Sequence, residues 1–152
     1  MTARLSSTIN SASGRHRSDV KERPRVSAII NYNQFADKYM ASWNEEDPEI
    51  RHKLIEELWA EDATYYNRIF VCHGPAQMEY AVGRSHDEYY EKGFTFKSQN
   101  DAYGHHNGVR FGWVMISADT GEVDTFGQDF IVLNDDGQIV IDYQFMMKRP
   151  SV

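Results

Sequence analysis

The hydrophobic positions of this chain change their period near Gly93, from a helical spacing to an alternating one. Upstream, Tyr32, Phe35, Ala36, Tyr39, Met40 and Trp43 recur three and four residues apart, the stripe of a helix with one buried face. Asp47-Pro48 predicts a second helix start, with Asp as the N-cap and Pro in the first turn. Ile50, Leu54, Ile55, Leu58 and Trp59 would form its buried face. Thr64 to Val71 is aromatic and β-branched, which predicts a strand. His73-Gly74-Pro75 breaks that strand and opens a third helix carrying Met78, Ala81 and Val82, and later Tyr89 and Tyr90.

Beyond Gly93 the alternation predicts strands over about 94–100, 105–118, 123–134 and 138–148. Asp119-Thr120-Gly121 and Asp135-Asp136-Gly137 read as hairpin turns in which Gly takes the left-handed position of a three-residue loop. Helices precede the sheet instead of alternating with its strands, so the fold class is α+β.

Three-residue loops would pair Ala118 with Glu122 and Asn134 with Gln138. Counting inward, Asp129 then faces Phe111 on one side and Tyr143 on the other, among Val109, Trp113, Ile131, Ile141 and Phe145. A two-residue first loop would instead carry it to the other face from Trp113. A carboxylate in such company is desolvated and its pKa raised, which suits a general acid/base near neutrality. It equally suits a buried carboxylate bonded to Tyr143 or a backbone amide, so both roles stay open.

Composition refines this picture. With 41% hydrophobic and 13% aromatic residues, the chain can build a core and still line a cavity with rings. Residues 1–25 hold six basic residues (Arg4, Arg15, Arg17, Lys21, Arg23, Arg25) against Asp19 and Glu22, and little to bury. They read as a flexible basic arm, available to pack on a partner subunit, ahead of one domain at 26–152. The net charge of −7 argues against nucleic-acid binding. No apolar run has the length of a membrane span or signal segment, so the expectation is a cytoplasmic protein without a membrane partner. The single cysteine, Cys72, excludes an internal disulfide framework and a Cys-based zinc cluster.

Leu58-Trp59-Ala60-Glu61-Asp62-Ala63-Thr64 closing the second helix, in that order of elements, resembles the nuclear transport factor 2-like superfamily. Gly127-Gln128-Asp129-Phe130, followed by Asn134-Asp135-Asp136-Gly137-Gln138-Ile139, resembles its polyketide-cyclase, or SnoaL-like, branch. The resemblance spans roughly residues 30–147 and implies a cone-shaped α+β barrel around an apolar pocket. The superfamily mixes enzymes with non-catalytic transport factors, so function must be argued from pocket residues.

Set against ketosteroid isomerase, the resemblance puts Tyr39 at the oxyanion-binding tyrosine and Asp129 at its acidic partner. Asn67, however, stands at the proton-shuttling aspartate, and an amide takes no proton at neutral pH. Set against limonene epoxide hydrolase, Tyr65 and Asn67 match the pair that positions water. The Arg–Asp relay is missing from Arg110-Phe111-Gly112-Trp113, and Asp142 could supply one carboxylate only with a shifted alignment. Set against polyketide cyclases, Asp129 matches the general acid/base, without the accompanying histidine.

The expected function is therefore cofactor-independent proton transfer on a small apolar molecule, of isomerase, cyclase, dehydratase or epoxide hydrolase type. Asp129 and Tyr39 are the candidate catalytic residues; Trp43, Tyr65, Asn67, Phe111, Trp113, Tyr143 and His105 are candidate substrate contacts. The alternative is a non-catalytic ligand-binding or assembly module of the same fold. No metal is expected: His105 and His106 are adjacent on a strand and point to opposite faces. His105 would also stand about 20 Å from Phe111 along that strand. Cys72 and His73 diverge likewise, against a nucleophile–base pair. Phe126 and Phe130 make the second sheet face apolar too, which predicts a homodimer.

Overall fold

A computed structural model describes residues 30–151. The basic arm expected at 1–25 lies outside the described residues.

Helix α1, Tyr32–Asn44, starts where the Asn31 side chain accepts from the Gln34 amide, and it buries the expected stripe of Ala36, Tyr39, Met40 and Trp43. Helix α2, Pro48–Leu58, is capped by Asp47 accepting from the Glu49 amide, with Pro in its first turn. Strand β1, Trp59–Tyr66, follows without a loop, so the segment from Trp59 to Ala63 is extended and not the end of a helix. The single strand expected from Thr64 to Val71 is instead β1, a turn, and the short antiparallel β2, Val71–His73. Asn67 makes that turn: its Oδ1 accepts from the amides of Ile69 and Phe70, each at 2.8 Å.

Gly74, at φ 76°, takes the left-handed conformation that lets the chain turn from β2 into helix α3, Gly74–Ser85. A π-helical turn, His86–Tyr90, extends it. Strands β3 (Phe94–Ser98), β4 (Tyr103–His105), β5 (Gly108–Ser117), β6 (Val123–Leu133) and β7 (Ile139–Lys148) complete the chain. The sheet order is β2-β1-β7-β6-β5-β3, with β4 also on β5. β1 and β7 are parallel and the other pairs antiparallel. Three helices pack on this curved, mostly antiparallel sheet, with α1 against β3 and α3 against β1, which is the expected α+β cone. No helix of the described residues is long and apolar enough to cross a membrane.

Register decides what faces the cone. The β5–β6 hairpin keeps the expected count through its body, and Phe111 pairs with Asp129. The β6–β7 hairpin does not. Its loop closes as expected, with the Asn134 amide donating to the Gln138 carbonyl at 2.8 Å. Leu133 then pairs with Ile139 but Val132 with Ile141, leaving Val140 as one extra residue in β7. A shift of one residue exchanges the two faces of the strand beyond it. Asp129 therefore faces Gln144 and not Tyr143. Asp142 turns inward and is wholly buried, while Tyr143 and Phe145 turn outward, about half exposed.

Candidate functional site

The inward face of the cone encloses a cavity of about 710 Å³. Tyr39, Trp43, Tyr65 and Trp113 line its inner part, and Ile69, Phe70 and Tyr80, all exposed, lie toward its mouth. Rings hold this wall together: Tyr39–Trp43 centroids are 6.2 Å apart, Trp43–Tyr65 6.1 Å and Phe96–Trp113 5.9 Å. Such offset and edge-on pairs prefer these spacings.

Directly behind Tyr39 lie two carboxyl groups. The Tyr39 Oη is 2.8 Å from Asp129 Oδ2 and 2.6 Å from Asp142 Oδ2. Trp113 donates its indole N–H to Asp129 Oδ1 at 2.7 Å. Gly127, the register partner of Trp113, makes that contact possible. A Cβ there would collide with the indole and lie 2.5 Å from the Phe145 carbonyl oxygen, so only glycine lets the ring cross β6 toward Asp129. Phe111 packs edge-on against Tyr39 at 5.3 Å and closes the back of the cluster.

Burial dominates the electrostatics. It raises Asp129 to about 6, although the bonds from Asp142, Tyr39 and Trp113 pull the other way. Asp142 is held well above the usual carboxylate range, first by burial and then by the charge of Asp129. Tyr39 and Tyr65 are both pushed well above 10, by burial and then by the two carboxyls. The Tyr65 hydroxyl is buried without a hydrogen-bond partner; the nearby Asn67 amide lowers its pKa but does not reach it in bonding geometry.

Of the residues singled out from sequence, Tyr39, Trp43, Tyr65, Asn67 and Trp113 come together on the cavity wall. Asp129 and Phe111 stand one layer behind it, fully buried. Tyr143 and His105 do not join them. Tyr143 stacks on Tyr66 at 4.7 Å on the outer face, sent there by the β7 bulge. His105 is exposed at the end of β4, which a tight turn at His106 joins to β5, so it does not share a strand with Phe111 as expected. Its Nδ1 is 3.2 Å from that of His106, so the two rings meet instead of pointing to opposite faces. Asp142, admitted from sequence only as a carboxylate under a shifted alignment, is the principal site residue absent from the expected set. Its signal was a lone acid inside an apolar strand, masked by the assumption of an unbroken register. Gln144 and Thr125 also line the cavity. Among the described residues His86, Asp87 and Glu91 bring potential metal ligands within 4.8 Å of one another, outside the set that lines the cavity.

No family model and no curated protein matches the chain by sequence. Solved structures do. A protein from Agrobacterium tumefaciens strain C58, described as a candidate isomerase of the SnoaL-like family, is 30% identical, with a TM-score of 0.71 over 77% of this chain and 97% of its own. A candidate polyketide cyclase from Sinorhizobium meliloti shares the fold at 9% identity and TM-score 0.57, covering 78% of this chain and 97% of that one. A nuclear transport factor 2-like protein of unknown function from Exiguobacterium sp. 255-15 does so at 19% identity and TM-score 0.56, over 76% and 99%. The extent and identity of the first match, joined to the cone and its aromatic cavity, mean that this chain belongs to the SnoaL-like family of the nuclear transport factor 2-like superfamily.

Proposed function

We infer that the protein is an enzyme that rearranges or hydrates a small, largely apolar molecule by proton transfer, using its own side chains. The observation that carries this reading is Tyr39 on the cavity wall, bonded to two buried carboxyls. A phenol so far above 10 does not ionise alone, but it can pass its proton to Asp129 while accepting one from a ligand carbon or hydroxyl. Asp129, at about 6, takes up and returns that proton near neutral pH. After the transfer the new Tyr39 O–H points at the ligand anion and stabilises it. Trp43, Tyr65 and Trp113 shape the cavity around the reacting group. The likeness to a candidate isomerase and a candidate polyketide cyclase agrees with this class of chemistry.

The test is a screen of enolisable ketones, epoxides and polyketide-like compounds with the purified protein in deuterium oxide. Incorporation of deuterium into the ligand or product is expected, reduced about 10²-fold or more in Tyr39→Phe and in Asp129→Asn. Turnover unchanged in both variants would overturn the assignment.

A second reading, a non-catalytic ligand-binding module, has an observation of its own. Both Asp129 oxygens already accept bonds, and the Asn67 oxygen is committed to its turn. Ligand binding without any deuterium incorporation would favour it.

The outer face of β6 and β7 carries Phe130, Tyr143 and Phe145, each between 45% and 50% exposed. So contiguous an apolar sheet face is best covered by a second copy of the chain, and we infer a homodimer through it.

A further inference from the structure

Tyr39 has one proton and two carboxyl neighbours. A hydroxyl donates once, so of its contacts at 2.8 Å and 2.6 Å only one can be donated by the phenol. The other must come from the carboxyl side, because two unprotonated acceptors do not rest at such a distance. Which carboxyl supplies the proton follows from their other partners. Asp129 is matched on both oxygens to groups able to donate, the Trp113 indole on Oδ1 and the Tyr39 hydroxyl on Oδ2. That is a setting for an anion.

Asp142 is in the opposite situation. Its Oδ1 is buried and has no hydrogen-bond partner, while its Oδ2 bonds the phenol and the carboxyl lies against that of Asp129, a contact that only a protonated acid can make favourable. An ionised Asp142 would leave much of its charge unsolvated inside the protein, whereas the neutral acid leaves only a carbonyl oxygen unpaired. The titratable groups around it are Tyr39 on α1, Asp129 on β6 and its register partner Tyr65 on β1. All three are acids, so none brings the positive charge that would stabilise a carboxylate.

We propose that Asp142 stays protonated through neutral pH and acts as a positioning residue, donating from Oδ2 to the Tyr39 oxygen and so directing the Tyr39 proton onto Asp129. The cluster then carries one negative charge, on Asp129. The chain of bonds runs in one direction: Asp142 O–H to Tyr39, Tyr39 O–H to Asp129, with the Trp113 N–H closing the far side. This rests on the proton-transfer reading only for its use: the order of bonds leaves the remaining Tyr39 lone pair for a proton arriving from the cavity. Replacing Asp142 by an acceptor-only group would turn the Tyr39 proton away from Asp129 and reverse the relay.

Infrared difference spectra of the full chain, unlabelled and ¹³C-aspartate-labelled, test the assignment without a substrate. At pH 7.5 exposed carboxyls are ionised, so a protonated-acid carbonyl band that shifts on labelling marks a buried neutral aspartic acid. The expected result is such a band in the wild type, retained in Asp129→Asn and lost in Asp142→Asn. Asn is nearly isosteric with a neutral Asp and keeps a donor toward Tyr39, so Asp142→Asn is expected to fold. Should it not, the wild type and Asp129→Asn decide: the band in both supports the proposal, and its absence from either overturns it. A band that survives Asp142→Asn also overturns it. Failure of every compound to exchange deuterium would defeat the enzymatic reading and leave this band in place. Absence of the band from a wild type that turns substrate over would defeat this assignment alone.

Discussion

Asp129 has no exposed surface, yet its pKa rises only to about 6 because hydrogen bonds from Asp142, Tyr39 and Trp113 oppose the desolvation. Hydrogen bonds to a charged group are worth about 1.5–3 kcal/mol each, enough to hold an anion that burial alone would neutralise. The sign of its effect on stability follows from linkage. A folded pKa above the unfolded value of 3.8 means that the folded state binds the proton more tightly. The contribution is full below pH 4 and is lost as pH rises through about 6, a loss on the order of 3 kcal/mol at about 1.4 kcal/mol per unit. Urea unfolding at pH 4, 5, 6 and 7 should therefore show the wild type losing stability relative to Asp129→Asn across that window. A constant difference between the two proteins at all four values would contradict burial as the cause. The burial of Asp129 and its pairing with Phe111 were legible from alternation along β5 and β6. The donors that make it an anion were not, since Tyr39 and Trp113 reach it from 90 and 16 residues away.

Helices α1 and α2 follow from stripes and caps that are local to the sequence, although α2 buries only Ile55 and Leu58 fully, leaves Ile50 exposed and hands Trp59 to β1. The β7 bulge is different. Ile139-Val140-Ile141 offers three consecutive β-branched apolar residues, and such a run fits either face of a strand. Alternation therefore could not say which of Asp142 and Tyr143 points inward. Pairing with β1 and β6 decides it, because the inward position must meet Tyr39 and the outward one Tyr66. Deleting Val140 removes the extra residue and should send Asp142 outward and Tyr143 into the cluster. The expected outcome is loss of cooperative thermal unfolding. A deletion variant that melts cooperatively at the wild-type temperature would show that the bulge does not set the face.

For the whole molecule, the cone presents its aromatic cavity on one side of the sheet and an apolar patch on the other. The rings of Phe130 and Phe145 meet edge-on, 5.6 Å apart, at the centre of that patch. Sedimentation velocity of the wild type at micromolar concentration should give a dimer, and Phe130→Glu should shift it to a monomer with its fold intact. A wild type that sediments as a monomer would remove the dimer reading. The charge would lie on the outer face, away from the carboxyl cluster, so ligand binding measured on the same variant separates the roles of the two faces.

The sequence by itself determined the class of fold, the three helices, the two long hairpins and an inward Asp129, because periodicity, capping and turn residues act over a few positions. The resemblance carried by Leu58–Thr64 and Gly127–Ile139 reached the right family for the same reason: both segments are local and keep their spacing. Tertiary structure alone decided that Asp142 joins Asp129 and that Tyr143 leaves. It also decided that Asp129 meets the cavity through Tyr39 and that His105 stands apart. Each of these depends on one residue of register or on contacts between elements distant in the chain, where local preference is silent and packing chooses.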